Sequence, residues 1–295
     1  MSAFVAMALA APGTAAAGTA PLTPVTKWWL DYAADSCRLV RAFGEGDGQI
    51  VAQFIRYEPS DHFSLILTGK PLAGTVDHAP VQLRFGETGA FVRRPAMTGS
   101  TSGKQTPALF LTGRLDNLDP LSPGVKALAH QDPYGEVEAR LHVSPETEAA
   151  ATTLTLRIPG RAIVLALGSM GPPMAAMRQC TSDLVKEWGL DPTEQASLAT
   201  HPRPRTNPGT WVRAGDYPWG PLASGQQAII SFRLAVDATG QTTACAIQSS
   251  IASDDAFAKT TCELLKKRAQ FEPARTPAGK AVASYYVNRV LWVIP

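Results

Sequence analysis

The chain has 295 residues, 45% of them hydrophobic and 18% charged, with a formal net charge of +2. That length allows one large or two ordinary domains, each able to bury a core, and so small a charge argues neither for nucleic acid nor for an anionic membrane surface. The 24 glycines and 24 prolines point to many turns in a strand-rich protein, and no stretch reaches the roughly twenty apolar residues of a spanning helix.

The amino terminus carries an apolar run, Phe4 to Ala11, and then Ala15-Ala16-Ala17, small residues where a signal peptidase would cut before Gly18. Residues 1–17 are therefore expected to be a signal peptide. No Lys or Arg precedes Lys27, so the positive n-region is missing, and either the true start lies upstream or the signal is atypical. An Ala-rich tail without fixed structure is the alternative.

Residues 28–192 read as a mostly-β domain. Arg38–Phe43 and Gln49–Tyr57 flank the turn Gly44-Glu45-Gly46-Asp47-Gly48 and predict a hairpin. Phe63–Gly69, Val81–Phe85, Ala108–Leu115, Val137–Val143, Thr152–Ile158 and Ala162–Leu167 add strand candidates. A helix then starts near Pro172-Pro173 and stops at Gly189. The expected architecture is a sandwich or partly open barrel closed by that helix.

From Thr193 to Arg213 the periodicity lapses into a segment rich in proline, His201-Pro202-Arg203-Pro204-Arg205-Thr206-Asn207-Pro208. Residues 193–213 are expected to form a semi-rigid linker, about 3 Å per residue and so roughly 60 Å at most.

Residues 214–295 read as a compact ββαβ unit. Ile230, Phe232, Leu234 and Val236 share one face of a strand, with Ser231, Arg233 and Asp237 on the other. Asp237-Ala238-Thr239-Gly240 carries turn chemistry, and Gln241–Ser249 alternates again. Ser253, Asp254 and Asp255 suit a helix start and Lys266, Lys267 and Arg268 its end; the three cations read most simply as a solvated face.

Cysteine placement suggests two bridges. Cys245 lies on the core face of the second strand, and Cys262 on the stripe Ala258, Cys262, Leu265, Ala269 that faces it. A bridge there would contribute on the order of 3 kcal/mol. Cys180 sits on the stripe Met174, Met177, Cys180, Leu184, Trp188, which leaves Cys37 as its partner. Two bridges suit an oxidising compartment; four buried thiols are the alternative.

Catalytic motifs are not found. Gly44-x-Gly46-x-Gly48 has its third glycine misplaced for a dinucleotide loop, and Glu45 and Asp47 would repel phosphate. Gly99-Ser100-Thr101-Ser102-Gly103 has no serine at the elbow position. His62, His78, His130, His142 and His201 are scattered: His62 beside Asp61 reads as an exposed loop residue, and His142 as solvent-facing on a strand. No catalytic set, metal site or cofactor site is expected, and the chain reads as non-enzymatic. Trp28-Trp29, Trp211 and Trp219 could stack on carbohydrate, though core packing is the commoner use.

Tyr217-Pro218, Gly225, the run Phe232–Asp237 with its Gly240 turn, the helix, and Arg268-Ala269-Gln270-Phe271-Glu272-Pro273-Ala274 resemble the C-terminal domain of TonB-family energy transducers. The resemblance covers about a quarter of the chain. It implies a three-stranded antiparallel sheet with a helix on one face, whose outer edge accepts an extended peptide. On this reading the edge near Ala281–Trp292, in particular Ala283, Ser284, Tyr285, Tyr286, Val287, Asn288 and Arg289, binds an envelope protein or receptor N-terminal peptide, within an inner- or outer-membrane protein complex of the periplasm. Tyr285, Tyr286 and Trp292 could add side-chain pockets, some of them serving the core.

The rest departs from that family. Phe4–Ala17 is too short to span, a folded domain stands in place of a spacer, and Trp219-Gly220-Pro221 leaves little room for the short helix expected after Tyr217-Pro218. A true transducer with an upstream anchor, or a ligand-binding or enzymatic β domain over residues 28–192, are the other readings.

Overall fold

A computed structural model describes residues 20–294 apart from 102–104, 124, 127–141 and 253. The protein is a mixed α+β structure, mostly strands in several sheets, with no closed barrel among the described residues. In chain order the strands of the first unit are β1 (Trp29–Ala33), β2 (Ser36–Phe43), β3 (Ile50–Arg56), β4 (Phe63–Thr68), β5 (Pro80–Phe85), β6 (Val92–Pro95), β7 (Met97–Ser100), β8 (Pro107–Gly113), β9 (Thr153–Ile158) and β10 (Arg161–Ala166). Helix α1 (Pro145–Ala150) precedes β9, and α2 (Gly171–Glu187) follows β10.

Two sheets result, β1-β2-β3-β4-β8-β7 and β10-β9-β5-β6. Alternation explains their packing: Leu65 and Leu67 of β4, Val81, Leu83 and Phe85 of β5, and Leu154 and Leu156 of β9 are all buried in one shared core. Helix α2 adds Met174, Met177, Cys180 and Leu184 to it, the stripe expected from the sequence. The Cys37–Cys180 bridge ties α2 to β2 across 143 residues. Of the expected strands, Val137–Val143 lies outside the described residues as far as 141, and His142 and Val143 are not in a strand.

The second unit holds α3 (Pro192–Ala196), β11 (Arg203–Pro204), α4 (Trp219–Ala223), β12 (Ala228–Val236), β13 (Thr242–Ile251), α5 (Ala256–Arg268), β14 (Phe271–Glu272), β15 (Ala274–Arg275), β16 (Ala281–Val282) and β17 (Ser284–Trp292). Its main sheet is antiparallel in the order β13-β12-β17. Phe232, Leu234, Val236, Leu265, Phe271 and Tyr286 close a core between this sheet and α5, clasped by Cys245–Cys262. Both expected bridges are therefore present. The turn into β13 needs its glycine: Gly240 has φ +86°, and a Cβ there would stand 2.0 Å from the Phe271 carbonyl oxygen.

Three expectations are corrected. Residues 193–213 are no free spacer: α3 folds there under an Asp191 cap, β11 pairs with β14, and Trp211 is buried against Phe271 and Tyr286. Proline enforces extended backbone, and here that backbone found an edge to pair with. The short helix after Pro218 does form, because Pro221 falls in the first turn, where an amide has no helical partner to lose. Arg268 is not a solvated cation: its guanidinium holds both oxygens of Asp216 at 2.6 and 2.9 Å and donates to the Trp211 carbonyl. Lys266 and Lys267 remain exposed. The helix start foreseen at Ser253 lies outside the described residues; Asp254 Oδ1 accepts from the Ala256 amide.

The units are joined on the sheet face opposite α5. Trp188, just past α2, packs its ring edge-on to Tyr285 of β17 at 4.8 Å, and the Arg233 guanidinium of β12 lies 4.4 Å over the same ring. Gln248 of β13 donates to the Asp35 and Tyr57 carbonyls, and Arg233 reaches Asp35 at 3.8 Å. No helix among the described residues is long and apolar enough to cross a membrane.

Candidate functional site

Among the described residues, strand β17 pairs with one strand, β12, in register from Ala228↔Trp292 to Val236↔Ser284. Two contacts reveal which residues present their backbone to the other side. The Ala283 carbonyl accepts from Gln195 Nε2 at 3.0 Å, and the Arg289 amide donates to Asn288 Oδ1 at 2.7 Å. Both groups point away from β12. The period of two along a strand then puts the amides and carbonyls of Tyr285 and Val287 on that same open side.

The open stretch is short because its ends are occupied. Gln195 caps the start: besides holding the Ala283 carbonyl, it accepts from the Ser284 hydroxyl at 2.6 Å. Asn288 occupies the far end and also donates to the Tyr286 hydroxyl. Of the sequence-selected residues, Ser284 and Tyr286 are buried, and Tyr286 belongs to the core with α5. Tyr285 faces Trp188, and burial holds its hydroxyl pKa above the usual range. Ala281–Val282 is not part of this edge; it forms its own pair with Ala274–Arg275. Trp292 is buried against Phe257.

Beside Tyr285 and Val287 lies a cleft of about 1060 Å³. One wall comes from the first unit, through Glu58, Ser60, Ser182 and Val185, and the other from residues 192–205 with Glu272 and Arg275. The cleft therefore exists only because the two units are packed together. Its charge is mixed, Arg203, Arg205 and Arg275 against Glu58 and Glu272. An extended segment laid in it would find main-chain partners on β17 and side chains of either sign on the walls.

The loop on the first unit's side is held from behind by buried charge. Asp61 accepts from the Val143 amide at 2.8 Å and from Arg56 at 3.4 Å. Arg56 is almost fully buried, which lowers its pKa to about 10 although Asp61 and Glu148 oppose the shift. His62 is not the exposed residue expected: in the loop just before β4 it is half-buried, and burial, then Arg289, Arg94, Arg114 and Arg56, push its pKa down to about 3. His142 faces solvent, 3.4 Å from Asp61.

Gln195 and Trp188 shape this site and were not singled out as site residues by sequence reasoning. Gln195 stood in what read as a linker, and Trp188 as one residue of a core stripe. Trp28 packs on Phe43 and Phe54, and Trp211 is buried, whereas Trp29 and Trp219 are exposed. Among the described residues no group of three or more metal-ligating side chains gathers. No family model, no curated protein and no solved structure matches the chain.

Proposed function

We propose that the protein is a non-enzymatic, periplasmic binding protein of the TonB kind, which takes an extended segment of an envelope protein as an added strand along β17. The N-terminal peptide of a TonB-dependent outer-membrane receptor is the first candidate. The observation that carries the reading is the pair of backbone positions, Tyr285 and Val287, that face away from β12 beside a cleft of about 1060 Å³. Each main-chain bond contributes about 1 kcal/mol net, so a short edge gives modest affinity and leaves selectivity to the cleft walls. The two disulfides suit the oxidising compartment. The sequence resemblance of residues 217–274 to TonB C-terminal domains supplies the choice of partner.

Titration of isotope-labelled protein with receptor N-terminal peptides tests this. Amide shifts should move at Tyr285 and Val287 and in the Gln195 side chain. Val287→Pro, which removes an amide from the open side and none from the β12 ladder, should abolish them. Shifts confined to β13, the other edge, or none at all, would overturn the proposal.

A further inference from the structure

The outward face of the sheet β10-β9-β5-β6 has a chemistry unrelated to the cleft. Val81, Leu83 and Phe85 of β5 and Leu154, Leu156 and Ile158 of β9 point into the core, so the residues between them point out. Register then places Arg157, Gln82 and Arg93 in one row across three strands, and Arg84 beside Thr155 in the next. Arg157 and Arg93 are exposed and Arg84 half-buried.

These arginines are held rather than loose. The Arg157 and Arg84 guanidinium groups lie 3.7 and 4.6 Å from the Phe91 ring centroid. Strands β5, β6, β9 and β10 contain no Asp or Glu. None of the three arginines pairs with a carboxylate among the described residues, Glu87 of the β5–β6 connection included, and Arg84 Nε is buried without an acceptor. Three guanidinium groups with open donor forks on one face form a site for phosphate or carboxylate.

Shape decides among the polyanions. Four strands about 4.8 Å apart make a face roughly 19 Å wide, a breadth that suits a surface better than a single linear acidic peptide. Nucleic-acid strands use aromatic rings as stacking platforms, whereas Phe91 already carries two guanidinium groups. A two-dimensional array of headgroups needs neither groove nor free ring, and Ala162, Val164 and Ala166, the residues of β10 that alternate with its buried Ile163 and Leu165, add an uncharged flank. We propose that this face docks on the phosphate-bearing headgroups of an anionic bilayer surface.

Co-sedimentation with vesicles of phosphatidylcholine, with and without phosphatidylglycerol, tests it. The protein should bind only the anionic vesicles, and added salt should weaken binding. Each arginine near such a surface is worth about fivefold in partitioning, so Arg84→Gln/Arg93→Gln/Arg157→Gln should lower it on the order of a hundredfold. If circular dichroism shows that this variant does not fold, Arg93→Gln/Arg157→Gln, both exposed, decides with a loss of about 25-fold. Absence of wild-type binding, equal binding to neutral vesicles, or unchanged binding by the folded variant overturns the proposal. So does displacement from the vesicles by oligothymidylate or polyglutamate at matched charge, which would assign the face to a soluble polyanion.

Discussion

The two units expose opposite parts of their sheets. In the second, α5 covers one face of β13-β12-β17 and Trp188 with its neighbours covers the other, so what remains is an edge. In the first, Leu22 bonds along the β10 edge of the smaller sheet, and that sheet presents an arginine-bearing face. An edge offers backbone and is indifferent to side-chain identity; a face offers side chains and can concentrate charge. The two proposed sites would therefore work through different physics, backbone at one and side-chain charge at the other.

That contrast can be broken most directly by crossing the variants. Val287→Pro should remove peptide-induced shifts and leave vesicle binding intact, while Arg93→Gln/Arg157→Gln should do the reverse. A variant that loses both would show that one site had been divided in two.

Stability measurements sharpen the comparison further. Replacing Cys37 and Cys180 by serine should cost about 5 kcal/mol in guanidinium unfolding, against about 3 kcal/mol for Cys245 and Cys262, because the closed loops differ so much in length. Gly240→Ala should destabilise the second unit by about 3 kcal/mol, since it adds both a positive-φ penalty and a backbone clash. Trp188→Ala should cost about 2 kcal/mol and split a single calorimetric transition into two, because it removes the ring shared by Tyr285 and Arg233.

The smallest effect concerns acid. Arg268 holds the Asp216 carboxyl below the usual carboxylate range, chiefly through their hydrogen bonds. A depressed folded-state pKa means that the contribution is fully present above the unfolded value of about 3.9 and is lost as pH falls through the lower, folded one. Asp216→Asn should therefore lower stability near neutrality and flatten its fall below about pH 4, so that variant and parent converge in acid.

Much of the local structure was legible. The hairpin around Gly240, seven of the strands in the first unit, the long helix and both cysteine pairings follow from period, turn residues and spacing. The missed elements share a cause. Nothing in Arg203-Pro204 reads as a strand until Phe271–Glu272 lies beside it, and β1, β6 and β7 are short segments whose pairing partners, not their own patterns, make them strands. At the site, the sequence pointed to residues 283–289 as an edge, and the Gln195 cap and the wall from the first unit came from residues distant in the chain.

Net charge is a sum and carries no placement. A value of +2 argued for no anionic surface, and it is silent on the sheet that gathers Arg84, Arg93 and Arg157 on one face. By itself the amino-acid order determined which residues alternate, where the chain turns and which sulfurs could meet, because those depend on neighbours a few bonds away. Only the tertiary structure decided which edge stayed open and which face stayed bare, because an edge or a face is exposed by what fails to cover it, and that is settled by residues far along the chain.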